Sequence, residues 1–145
     1  LFRDKIDEIM EQVKCPVAVF VNRQYREGTT VSFVFGGMID LFLFSYLDKM
    51  LQNGHSVRLF LFDTDDEEFR GRIDDLQVRY PEQTMIVWFA GVEDLVTEEK
   101  DGLLIMSHLS YTKLSEDEAV MRELSSLLVI RRNKNTGDKN EGLEN

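Results

Sequence analysis

Residues 31–62 constrain the fold more than any other stretch. Val31-Ser32-Phe33-Val34-Phe35 is a run of β-branched and aromatic residues, Gly36-Gly37 follows, and a mainly apolar helix-forming segment fills 40–51. Asn53-Gly54 then ends that segment, and a second apolar run occupies 56–62. A strand buried on both faces reads as a continuous apolar run rather than an alternation. Paired glycines lift the Cβ restriction and allow a sharp turn into a helix, and Asn-Gly favours a left-handed helix end. Strand, helix, strand in that order makes a right-handed crossover unit, so its two strands are expected to be parallel. Open sheets of this kind bind ligands outside the carboxyl ends of their strands. Gly36 and Gly37 mark that end.

The alternation continues downstream. Residues 65–80 read as a helix, opened by Thr64 and Glu67 at capping-box spacing and stopped by Pro81. A strand at 84–90, a short acidic helix at 91–100 and a buried strand at 103–106 follow. Ser115 and Glu118 form a second capping box for a helix ending near residue 124, and 127–130 is the last strand. Ahead of the crossover unit, Phe2, Ile6, Ile9, Met10 and Val13 share one helical face, and Val17–Val21 is an apolar strand. Residues 133–145 are polar, lack periodicity and read as a disordered tail. The expected architecture is α/β: a three-layer open parallel sheet with a helix-strand lead-in at 1–23, the main domain at 24–132 and the tail beyond. The pattern fits a Rossmann-like or a flavodoxin-like strand order without choosing between them.

Charge and cysteine usage narrow the partners. The chain of 145 residues, one domain by length, carries a net charge of -10 from 27 acidic and 17 basic residues. Such a field repels both the phosphate backbone and an anionic membrane, so neither nucleic acid nor direct membrane contact is expected. Cys15 is the only cysteine, which rules out an internal disulfide and C-x-x-C chemistry and suits a cytoplasmic setting. Lying before Pro16 and an apolar run, it reads as a buried structural thiol. No apolar run reaches the ~18 residues of a membrane span, and Asp40 interrupts the longest. Leu1-Phe2-Arg3-Asp4-Lys5 lacks the pattern of a secretory signal. The chain starts without methionine and is expected to be a piece of a longer polypeptide.

Candidate chemistry gathers at the strand ends. Phe35-Gly36-Gly37-Met38-Ile39-Asp40 is not G-x-G-x-x-G, no Walker lysine follows, and Asp40 opposes an anion; the glycines read as a turn rather than a phosphate seat. Asp63, Asp65 and Asp66 suit a helix N-terminus, where the dipole favours carboxylates. A phosphoacceptor site would also need an acidic pair after the first strand, where Gly36-Gly37 stands. His108 lies beside Ser107 and Ser110 at the ligand-binding end, yet Met106-Ser107-His108-Leu109 is not the G-x-S-x-G of a nucleophile elbow. His55 has no recognisable partner, and no His/Cys/carboxylate set has metal-ligand spacing. The candidate ligand contacts are therefore Gly36, Gly37, Asp40, Asp63, Ser107 and His108, with no catalytic residue, no metal ligand and no cofactor expected. The helix over 41–47 is apolar nearly all round, so the lead-in helix or a second subunit is expected to cover it.

Two signatures carry a resemblance. Cys15-Pro16-Val17-Ala18-Val19-Phe20-Val21-Asn22-Arg23 and Phe35-Gly36-Gly37 followed by Asp40 make the chain similar to the universal stress protein fold. More narrowly, it resembles the cytoplasmic C-terminal region of cation:proton antiporters of the second monovalent-cation family. In that family a Cys-Pro-Val-type strand closes one stress-protein-like unit, and a Phe-Gly-Gly strand opens the next. The resemblance runs through Arg132. It implies a non-catalytic regulatory or assembly domain on the cytoplasmic side of the inner membrane, joined to the transmembrane antiporter domain of the same polypeptide. The lead-in would then be the tail of a preceding unit. It also implies a homodimer; such domains associate through their last strand, here 127–130. ATP-binding stress proteins carry G-x2-G-x9-G-[ST] after the fourth strand and an Asp at the end of the first. This chain has Ser107-His108-Leu109-Ser110-Tyr111 there, no glycine between Gly102 and Gly137, and Phe35-Gly36 at the first strand end. ATP binding in the usual mode is not expected. The alternative is a nucleotide- or small-ligand-sensing stress-protein-like domain without that mode.

Overall fold

The computed structural model describes residues 2–12 and 15–132. Along the chain run α1 (Phe2–Gln12), β1 (Val17–Val21), β2 (Val31–Phe35) and a 3-10 helix (Met38–Leu43) that leads straight into α2 (Phe44–Gln52). Next come β3 (Val57–Phe62), α3 (Glu67–Arg79), β4 (Thr84–Phe89) and a second 3-10 helix (Val92–Leu95). The described chain closes with β5 (Leu103–Ser107), α4 (His108–Leu114), α5 (Glu118–Glu123) and β6 (Ser126–Arg131).

The strands form one six-stranded sheet in the order β1-β6-β5-β2-β3-β4. β2 to β6 are mutually parallel, as their unbroken apolar runs require, and β1 adds to β6 antiparallel, with Val19 opposite Val129. Counted along the chain, the five parallel strands lie 3-2-1-4-5. That is the Rossmann order rather than the flavodoxin-like one.

Alternate residues of each strand feed two separate cores. Phe33 and Phe35 of β2 pack with Leu47 and Leu51 of α2 and Phe69, Ile73 and Leu76 of α3. Val34, between them, belongs to the opposite core with Tyr111 and Leu114 of α4, Val120 of α5 and Ile6 and Met10 of α1. The fold is thus a three-layer α/β sandwich with a mostly parallel sheet in the middle. Each layer rests on periodicity: Leu43, Leu47 and Leu51 recur every fourth residue and present one helical face to the sheet. Gly37 (φ 144°) and Gly54 (φ 86°) take backbone conformations that a Cβ would strain, at the entry and exit of this helical segment.

Several expectations change. The residue that caps α3 is Asp66, whose carboxylate accepts from Phe69 N–H, while Thr64 Oγ1 only accepts from Asp66 N–H. A carboxylate is the stronger acceptor and also favours the helix dipole. Likewise Asp117 caps α5, accepting from Val120 N–H, and Ser115 instead closes α4. Residues 108–114, assigned to no element from the sequence, form helix α4, and the stretch at 91–100 expected as a short acidic helix contains only the 3-10 helix at 92–95.

Cys15 is exposed, because it precedes an edge strand. What the fold uses is its carbonyl, held together with that of Met10 by the buried Arg131 guanidinium. α1 does not cover α2: the two lie on opposite faces of the sheet. The sheet itself buries the apolar side of α2, Arg132 stacks on Phe42 at 5.3 Å, and Ile39 and Tyr46 stay at the surface. β6 is interior, paired on both edges, so it has no free edge for a second copy. The lead-in strand β1 joins the same sheet as the rest of the chain, and Val21 shares its core. The expected tail at 133–145 and Val13 of the lead-in helix lie outside the described residues.

Candidate functional site

After β2 the chain leaves toward the α2/α3 layer, and after the neighbouring β5 it leaves toward the α4/α5 layer. This divergence is the topological switch point, where open α/β sheets form their ligand crevice. Gly36 and Gly37 follow β2, Ser107 ends β5 and Asp40 lies on the 3-10 helix after the glycines, so four of the six sequence-derived candidates meet here.

Asp40 organises the crevice. Carried back by the 3-10 helix, it is only 1% exposed, and its Oδ2 accepts from Gly36 N–H at 2.6 Å and from the Ser110 hydroxyl at 2.9 Å. One carboxylate therefore ties the glycine turn to α4 across the end of the sheet. Its other oxygen, Oδ1, is buried without a hydrogen-bond partner in the protein. Gly36 permits the approach: a Cβ there would stand 3.2 Å from Asp40 Oδ2 and 3.3 Å from Ser110 Oγ. Ser107 caps α4, its Oγ accepting from Ser110 N–H at 3.1 Å.

The remaining candidates point elsewhere. His108 Nε2 lies 2.8 Å from Asp7 Oδ1, linking α4 to α1 rather than to Asp40 or a serine. Asp63 binds Arg70, whose guanidinium also stacks over Trp88 at 4.3 Å, and so braces α3 against β4. No cluster of three or more His, Cys, Asp or Glu residues with metal-binding geometry occurs among the described residues.

Sequence reasoning left Ser110 and Lys113 off the candidate set. Read as helical, Ser110, Lys113 and Leu114 share one face by i, i+3, i+4 spacing, and that face borders a cavity of about 330 Å³ next to Gly36. Its walls include Phe62, Phe89, Val92, Leu95 and Met106. It therefore opens beside the carboxyl ends of β3 and β4 and extends the crevice along the α4 side of the sheet.

Fold and crevice together define a Rossmann-like α/β domain with a switch-point site. No helix among the described residues is long and apolar enough to cross a membrane. Comparison with family models, with curated proteins and with solved structures finds no match for this chain.

Proposed function

We propose that this chain is a non-catalytic regulatory and assembly domain of a cation:proton antiporter. The transmembrane region of the same polypeptide would hold it on the cytoplasmic side of the inner membrane, where it would pair as a homodimer. The observation that favours this reading over a nucleotide-binding domain is the Asp40 carboxylate at the switch point. A phosphate-binding crevice of this topology aims free backbone N–H groups at the ligand. Here the Gly36 N–H and the Ser110 hydroxyl are already taken by the Asp40 carboxylate, so neither is free to hold a phosphate. Attachment to an antiporter is supported by the Cys15-Pro16-Val17 strand and the Phe35-Gly36-Gly37 turn with Asp40.

The complete reading frame tests the attachment: about ten upstream spans of ~20 apolar residues each are expected, and none would overturn it. Regulation is tested in everted vesicles carrying the transporter with and without this domain. Deletion is expected to change the ion or pH dependence of exchange, and identical exchange would count against the role.

A second reading, a small-ligand-sensing stress-protein-like domain, is favoured by the cavity beside Ser110. Titration with ATP and magnesium is expected to give no saturable heat below about millimolar. A micromolar site would restore the nucleotide-binding mode.

A further inference from the structure

We infer that the cavity between α4 and the ends of β3 and β4 binds a small apolar monoanion, an aryl or branched carboxylate. The inference deepens the ligand-sensing reading and rests on it, not on attachment to a transporter. Three observations converge.

The first is size. The cavity holds about 330 Å³, at the low end of the roughly 300–1,000 Å³ of small-ligand pockets. The second is the wall. Phe62 and Phe89 meet edge to face with centroids 5.7 Å apart, and Val92, Leu95 and Met106 complete an apolar lining. Phe62 remains 42% exposed at the mouth, where a ligand ring would cover it. An apolar body here loses water without leaving a wall polar group unpaired.

The third is charge. Lys113 is the single charged side chain in the lining and makes no ion pair with any described residue. No carboxylate is among the lining side chains, and the nearby ones stand behind it: the Glu93 carboxylate lies against Gly91. Asp40 is engaged by Gly36 N–H and the Ser110 hydroxyl, and Asp94 Oδ2 accepts from Ala90 N–H at 3.3 Å. On a chain of net charge -10 an unpaired lysine at the edge of an apolar cavity selects one acidic group. The ligand's carboxylate sits at Lys113 and its apolar end lies against the phenylalanine pair.

The test uses the full 145-residue chain and three probes: 3-phenylpropionate, its cationic counterpart 3-phenylpropylamine, and AMP. Amide chemical-shift titration should show saturable sub-millimolar binding of 3-phenylpropionate, with the largest shifts at Gly36, Ala90, Gly91 and Ser110. Lys113→Met, at an exposed position that folding does not need, should weaken it at least tenfold. Val92→Trp should fill the cavity and abolish it; should that variant not fold, Lys113→Met decides alone. The inference is overturned if Lys113→Met leaves the affinity within twofold, or if the folded Val92→Trp protein still binds. Preference for 3-phenylpropylamine or AMP overturns the anion assignment while leaving ligand sensing in place. Binding of none of the three removes both.

Discussion

At the scale of single residues, the most consequential group is Asp40, because it joins two layers with one carboxylate. Replacing it by alanine leaves Gly36 N–H and the Ser110 hydroxyl without their shared acceptor. Hydrogen bonds to a charged group contribute roughly 1.5–3 kcal/mol, so Asp40→Ala is expected to lower stability by about 2–3 kcal/mol. Urea denaturation checks this; a change under about 0.5 kcal/mol, typical of an unremarkable surface site, would mean that the bridge does not hold the crevice together. Glu99 supplies a pH-dependent counterpart at the opposite end of the sheet. A hydrogen bond from the Thr30 hydroxyl, then one from Arg58, lowers its pKa below the ordinary glutamate value. The unfolded chain thus binds the proton more readily, and the stabilisation is present above the unfolded pKa and lost as pH falls through the folded one. Since Glu99 is largely exposed, solvent screens the pair, and the effect stays under about 1 kcal/mol. Wild type and Glu99→Gln should differ in stability at neutral pH and converge in acid; a constant gap would contradict the linkage. Residue type alone revealed neither group's partners. The turn at Gly36-Gly37 was legible because glycine has a backbone reason to be there. Ser110 and Thr30 become informative only once the fold brings their hydroxyls to distant carboxylates.

At the scale of elements, strands were more legible than helices. Continuous apolar runs such as Leu103 to Met106 tolerate few readings, and each strand expected in the parallel sheet is present. α4 escaped because it is seven residues long, with His108, Ser110 and Thr112 in place of strong helix formers. Its stability comes from Tyr111 and Leu114 in the core and from the Ser107 cap, which are tertiary and terminal effects. The caps at Asp66 and Asp117 were displaced from the expected positions by two residues each, since several nearby side chains in these acidic stretches were chemically able to cap. The loop into β5 contains a sharper constraint. A Cβ on Gly102 would stand 2.8 Å from the Thr30 carbonyl oxygen, which accepts from Leu103 N–H at 3.0 Å. Because backbone rather than a flexible side chain blocks the space, Gly102→Ala must push β5 away from β2. The expected cost is about 1–3 kcal/mol, read as a lower denaturation midpoint with faster amide exchange at Leu103 and Leu104. Unchanged exchange there would show that the loop yields instead of the strand.

At the scale of the whole molecule, the sheet leaves two free edges, β1 and β4, and these decide how a second copy can join. The last strand, β6, is excluded because both its neighbours are in place. β4 exposes Met85 and Trp88, but Arg70 stacks on Trp88 and brings a charge to that edge. β1 carries only Val, Ala and Phe, and charged residues are the usual means by which an edge strand avoids association. Antiparallel pairing of β1 with its own copy about Val19 would also set the half-exposed Phe20 against Ala18 of the partner subunit, a large side chain over a small one. A two-fold axis requires this self-complementarity, whereas the net charge of -10 opposes looser contacts between acidic surfaces. We therefore expect a homodimer in sedimentation equilibrium at micromolar concentration, joined through β1. Phe20→Lys should give a monomer of undiminished thermal stability, because the side chain lies outside both cores, and Met85→Lys on the other edge should remain dimeric. A wild-type chain that sediments as a monomer would remove the dimer, and loss of dimer on Met85→Lys alone would move the contact to β4.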